Sequence, residues 1–171
     1  DDAFGRFLIR TLEDNKVTPL SPQLCGEAVT TMAFVSLTPG GERSFTFVRK
    51  PGADMFLREE DVREADIRDT VIVHAGSCSL SASPAAEATA KALHLGREMG
   101  RLVSFDVNYR DMMWNGSQEA CAAKVREILP DVDLPAAVSF IGATTFILSA
   151  VGLKVGNVFG LKYKSRAEIA G

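Results

Sequence analysis

Asp106, Asn108 and Arg110 set a carboxylate, an amide and a guanidinium at alternate positions of one short run. In an extended segment alternate residues share a face, so the three would act on one ligand. Carboxylate and amide oxygens accept directionally from hydroxyls, and the guanidinium fork fits a carboxylate or a phosphate. Without a ligand, the same run is a loop held by its own Asx turn and surface ion pairs. Arg49 is the other side chain of interest, because it shares one face of a strand with Phe45 and Phe47. Those two aromatics read as core packing, but a guanidinium beside them must find an anion or water. His74 and His94 have no partner at ligand spacing, and Cys25, Cys78 and Cys121 lie far apart without a CxxC pair. No metal site and no disulfide scaffold is predicted, and a reducing compartment suits the odd cysteine count.

These residues need strands to position them. Thr31–Leu37 and Arg43–Lys50 are β-branched and aromatic and flank Thr38-Pro39-Gly40-Gly41-Glu42, which predicts a hairpin over 31–50. From residue 70 the period becomes that of a parallel sheet. Thr70–Ala75 is an apolar strand ending at Gly76-Ser77, and Leu102–Asp106 is the next. Between them a helix is predicted with Ser83 as N-cap, Pro84 at N1, a stripe of Ala88, Ala92, Leu95 and Met99, and Gly100 at C′. A second helix starts near Ser117, turns Cys121, Val125, Ile128 and Leu129 inward, and stops at Pro130. This β-α-β-α order implies right-handed crossovers and a sheet covered on both faces. Ligands of such sheets bind beyond the carboxyl ends of the strands, which here are Gly76-Ser77 and residues 106–110. At the start of the chain, Asp1 and Asp2 can cap a helix carrying Phe4, Phe7, Leu8 and Leu12 on one stripe. A helix with no strand before it implies that the N-terminal part of a larger domain is missing. Arg58–Asp69 alternates in charge and reads as a solvated helix face.

The chain has 171 residues, 46% hydrophobic and 24% charged, which is one globular domain's worth and excludes wholesale disorder. A net charge of −3 argues against nucleic acid as a partner. That charge is uneven: residues 1–133 carry 15 basic and 21 acidic side chains, and residues 134–171 carry four and one. Leu134 to Leu153 contains no formal charge over 20 residues, enough for a helix of about 30 Å and a membrane-span candidate. The N-terminus shows no basic region followed by an apolar run, so no signal peptide is predicted. Two parts are therefore expected, 1–133 and 134–171.

Residues 1–133 resemble the middle of a ribokinase-like, PfkB-type sugar kinase, and fructokinases in particular. The resemblance is carried by Asp2-Ala3-Phe4-Gly5-Arg6-Phe7-Leu8, Thr31-Met32-Ala33-Phe34-Val35, Gly41 to Arg49, Ala53-Asp54-Met55, His74-Ala75-Gly76-Ser77, Ser104 to Arg110 and Trp114. It implies an α/β fold with a parallel sheet, covering helices and a β-hairpin lid over the sugar, and a homodimer clasped through that lid. It implies transfer of the γ-phosphoryl of ATP, with Mg²⁺, to a hydroxyl of fructose or a related keto sugar or sugar acid in the cytoplasm. By position, Arg49, Asn108, Arg110, Gly76 and Asp106 would form the sugar site. Relatives acting on 2-keto-3-deoxygluconate use arginines at the places of Arg49 and Arg110 for the acid end. Phe47 stands where those relatives often carry a tyrosine, which tilts the resemblance toward fructose. The opening sugar-binding strand, the lysine–asparagine–glutamate motif and the glycine-rich anion hole with the catalytic aspartate do not occur in this sequence. No catalytic residue is assigned, Asp106 included, and the chain by itself is expected to be inactive.

Residues 134–171 resemble another family, the bacterial MntP-type manganese efflux pumps. The matching pieces are Ser139-Phe140-Ile141-Gly142, Thr145 to Ser149, Phe159-Gly160, Tyr163-Lys164 and Ala167 to Gly171. Gly152, Gly156 and Gly160 recur every four residues, a close helix-packing face, and Lys154, Lys162, Lys164 and Arg166 favour a cytoplasmic flank. A hydrophobic helical tail is expected, membrane-associated if it inserts. The other readings are a transport fragment, through this tail, and a non-catalytic sugar-binding module built on the hairpin.

Overall fold

The computed structural model describes residues 1–17 and 23–136. Helix α1 (Ala3–Asp14) begins after Asp2, whose carboxylate accepts the Gly5 N–H at 2.8 Å. That contact satisfies one of the donors a helix start leaves open. The same carboxylate accepts the Thr30 N–H at 2.7 Å and the Thr30 hydroxyl at 2.8 Å. The helix start is thereby fastened to the segment that enters the hairpin. Its apolar stripe forms, yet no residue of α1 is buried.

The hairpin is β1 (Met32–Leu37) and β2 (Arg43–Val48), antiparallel, with Val35 opposite Phe45 and Ala33 opposite Phe47. Thr38 donates its N–H to Glu42 at 2.9 Å and Gly41 to Thr38 at 2.9 Å, with Gly41 at φ +82°. A left-handed residue there is what the turn asks of glycine. Phe45, Phe47 and Arg49 are half-buried while Ser44, Thr46 and Val48 are exposed, so the inward face is the one the alternation predicts.

Arg58–Asp69 does not form one helix. It forms a single 3₁₀ turn, Glu59–Asp61, and a short helix α2 (Glu64–Arg68). Asp61 accepts the Arg58 N–H at 2.9 Å, and Arg63 pairs with Asp66 at 2.8 Å. Local side-chain acceptors of this kind compete with a continuous helix.

The body is a parallel sheet of β3 (Ile72–Gly76), β4 (Leu102–Asp106) and β5 (Leu134–Ala136), in the order β3-β4-β5. Helix α3 (Ala85–Glu98) crosses from β3 to β4, and α4 (Gln118–Ile128) from β4 to β5. Ser117 caps α4 by accepting the Ala120 N–H at 3.1 Å. Gly100, at φ +66°, ends α3 in a Schellman turn, with Arg101 N–H on Gly96 O at 2.8 Å and Gly100 N–H on Arg97 O at 3.1 Å. The start of α3 departs from expectation. Pro84 occupies the cap, and Ser83 donates its hydroxyl to Glu87 at 2.7 Å instead of capping the backbone. The buried face differs too: Ala85, Ala88, Leu93 and Gly96 are buried, and Leu95 is not. Small residues win because the helix lies against the sheet. A Cβ at Gly96 would stand 2.9 Å from Val73 Cγ2 and 3.2 Å from Val103 Cγ2.

Val73, Val103, Phe105, Leu93, Cys121 and Val125 close the core between the sheet and the two helices. The opposite face of the sheet carries exposed Ile72 and His74. Among the described residues the sheet is covered on one face, not both. Leu134–Ala136, the first residues of the charge-free stretch, extend this sheet as β5. The helical tail expected over the rest of 134–171 lies outside the described residues from position 137 on. Among the described residues no helix is long and apolar enough to cross a membrane.

Candidate functional site

Gly76 and Asp106 are register partners at the carboxyl ends of β3 and β4. The chain leaves β3 as a 3₁₀ turn, Ser77–Ser81, and leaves β4 as the run 107–110. The buried Ser77 hydroxyl stitches the two exits, donating to Val107 O at 2.8 Å and Asn108 O at 3.3 Å. Cys78 adds an Sγ contact to Asn108 O at 3.8 Å.

Asp106 accepts the Asn108 N–H at 3.1 Å, the Asx turn that its spacing allows. This carboxylate shapes the loop. Buried Val107 and Tyr109 alternate with half-buried Asp106, Asn108 and Arg110, of which Arg110 meets the hairpin. The Arg110 guanidinium lies over the Phe45 ring, 5.9 Å from its centroid, and Phe45 stacks on Phe47 at 6.3 Å. A cation over an aromatic face is attracted by the ring quadrupole. The hairpin strand β2 and the exit of β4 therefore touch at this contact.

Arg49 reaches the same place from the end of β2, with its side chain only 7% exposed. Its Nε and one terminal nitrogen both lie 2.8 Å from Asp54 Oδ2. The remaining donors point into the body, to Ser81 Oγ at 3.0 Å and Cys78 O at 3.3 Å. Thr31 donates its hydroxyl to the other Asp54 oxygen. Cys78 sits where these groups converge. Burial pushes its thiol pKa up, while Arg110 and Arg49 pull it down and Asp106 and Asp54 raise it.

Of the five residues singled out in the sequence, Gly76, Asp106 and Asn108 sit at the paired strand exits, while Arg110 and Arg49 join those exits to the hairpin, at Phe45 and at the Ser77–Ser81 turn. Asp54, Ser81, Cys78 and Gly52 meet Arg49 there and carry no such prediction. For Asp54 a signal existed: a carboxylate five residues beyond Arg49, across the Pro51-Gly52 turn, can fold back onto it. Ser81 and the Cys78 carbonyl are brought in only by the 3₁₀ turn, which no periodicity marks. Among the described residues no three His, Cys, Asp or Glu side chains gather to hold a metal ion.

Comparison with known proteins gives the same frame. Residues 1–137 match the pfkB family of carbohydrate kinases. Fructokinase-1 of Oryza sativa subsp. japonica is 37% identical over 134 residues, which is 78% of this chain and 41% of that protein. The crystal structure of a fructokinase from Xylella fastidiosa superposes with a TM-score of 0.79 at 31% identity, covering 94% of this chain and 48% of that one. Its form with bound ATP superposes at 0.78, with the same identity and coverage. The chain thus spans less than half the length of these relatives. The family match ends at residue 137 and lends no support to the pump resemblance of residues 134–171. With its parallel β3-β4-β5 sheet, its hairpin and a match over most of its length, the chain belongs to the pfkB family of carbohydrate kinases.

Proposed function

We propose that this chain carries the sugar-recognition part of an ATP-dependent kinase that phosphorylates a hydroxyl of fructose or a closely related keto sugar. The observation that carries the reading is the junction between the hairpin and the strand exits, which this reading takes as the sugar cleft. Arg110 packs on Phe45 of the lid, and Arg49 anchors the lid strand to the turn after β3. Asp106, Asn108 and Arg110 offer the acceptors and donors that sugar hydroxyls need, and Phe45 and Phe47 supply an apolar wall. The fructokinase relatives, and the neighbour solved with bound ATP, support ATP as the phosphoryl donor. Mg²⁺ follows from phosphoryl-transfer chemistry in general, where a divalent ion neutralises charge on the phosphates. The three cysteines described are free, which fits a cytoplasmic location. Phe34 and Val48, exposed on the outer hairpin face, suit a second copy of the chain docking lid to lid.

Fructose titration of the ¹⁵N-labelled chain tests the sugar reading. Amide shifts confined to residues 76–81, 106–110 and the inner hairpin face, weakened at least about tenfold by Arg110→Ala, are the expected result. Saturable shifts elsewhere, or none, would overturn it. ATP-dependent turnover tests the division of labour. The 171-residue chain alone should fall orders of magnitude below a full-length relative, because positioning and charge stabilisation act together and not additively.

A further inference from the structure

We propose that Asp54 is a specificity-determining residue: by occupying Arg49 it sets the cleft to take uncharged sugars and to reject sugar acids. The proposal deepens the sugar-kinase reading and rests on it. A guanidinium in a sugar cleft is a ready partner for a carboxylate, because its fork matches both oxygens. Here that capacity is taken up within the chain. Two of the three Arg49 nitrogens sit 2.8 Å from Asp54 Oδ2, and the terminal nitrogens also donate to Ser81 Oγ and Cys78 O. With the side chain 7% exposed, little of the fork faces a ligand.

Charge makes the same point. Arg49 and Arg110 are matched in the cleft by Asp54 and Asp106, and Cys78 feels all four. A neutral polyol enters this balanced field with no charge to desolvate. A carboxylate would stand beside Asp54 and Asp106 without a net positive field to hold it, and like charges in a partly buried site repel. The pair is also built in by the backbone. A Cβ on Gly52 would stand 2.8 Å from Arg49 Cγ and 2.7 Å from Asp54 Oδ1, and would overlap Thr31 Oγ1. Any side chain at 52 would have to displace Thr31, Asp54 and Arg49 from one another.

The test compares fructose with 2-keto-3-deoxygluconate on the full 171-residue chain and on Asp54→Asn. Amide shifts and the Arg49 Nε–H signal are followed by NMR. Asn keeps an oxygen for Thr31 while removing the charge. The acid should bind the variant at least about tenfold more tightly than the unsubstituted chain, with the Arg49 Nε–H signal moving only in the variant. The ratio of acid to fructose affinity should rise at least about tenfold, whatever the change in fructose affinity itself. Acid affinity within about twofold of the unsubstituted chain overturns the proposal, as does an acid-induced Arg49 shift in that chain. Should Asp54→Asn fail to fold, Arg49→Gln decides. A greater loss of acid than of fructose affinity overturns the proposal, and equal or no loss upholds it. Failure of fructose to bind counts against the sugar reading, and the Asp54 proposal is then judged on the acid arm alone.

Discussion

At the scale of single residues, the cleft depends on one glycine and on burial. Gly52 has φ −103°, so its value lies in space and not in backbone freedom. Gly52→Ala should push Asp54 from Arg49 and destabilise the chain by about 1–3 kcal/mol, the usual cost of overpacking a tight site. Urea unfolding measures it, and a change below about 0.3 kcal/mol would mean the turn yields freely. Cysteine chemistry gives an independent check. Burial pushes the Cys121 thiol pKa up to about 12, against a hydrogen bond with Ser77 that acts the other way. Thiolate, the reactive form, is then scarce near neutral pH. Iodoacetamide at pH 8 should leave Cys121 intact in the folded chain and label it fully in denaturant. Mass spectrometry of the labelled peptides reads both states.

At the scale of elements, the join between α1 and the hairpin is pH-sensitive with a definite sign. The Thr30 N–H, the Gly5 N–H and the Thr30 hydroxyl, in that order, hold the Asp2 carboxyl at about 2, below its ordinary 3.8. A carboxyl depressed in the folded state stabilises fully above its unfolded value and loses that contribution as pH falls toward the folded one. Between about pH 4 and pH 2, Gly5 and Thr30 amide protection should fall together, and Asp2→Asn should show no such step in that window. Hydrogen exchange at the two amides follows it. Elements with a strong local code were legible from the residues. The β4 boundaries, the start of α4 near Ser117, the Gly100 ending and the inward face of the second hairpin strand each rest on one or two side chains or on one period. Where several acceptors compete, as over Arg58–Asp69, charge alternation alone does not separate one helix from a 3₁₀ turn followed by a short helix. The α3 face is only partly the predicted one: Ala88 is buried as the stripe requires, but Leu93 and Gly96 take the buried places expected of Ala92 and Leu95, with Gly96 set by its closeness to Val73 and Val103.

For the whole molecule, part of the site was open to sequence reasoning and part was not. Arg49, Asp106, Asn108 and Arg110 could be placed because alternation and strand ends fix faces. Most of what occupies Arg49 could not, because Ser81 Oγ and Cys78 O are brought in by the Ser77–Ser81 turn, whose geometry leaves no periodic trace. The same distribution of contacts predicts unequal stability across the fold. Phe105, Leu93, Val103 and Val125 are fully enclosed between sheet and helices, while α1 and both hairpin strands contribute no buried residue. Segments with few buried apolar contacts open at lower free energy than the core does. Amides of β4, α3 and α4 should therefore exchange at least about 100-fold more slowly than those of α1 and the hairpin. Phe105→Ala removes the largest enclosed side chain and should cost about 3–5 kcal/mol, a large share of the ~5–15 kcal/mol that a domain commands. Protection in β3, β4, α3 and α4 should then fall in one step, while exchange in α1 and the hairpin, already governed by local opening, stays where it was. Uniform protection before the substitution, or loss confined to β4 after it, would show that the hairpin and helices do not divide from the core in this way.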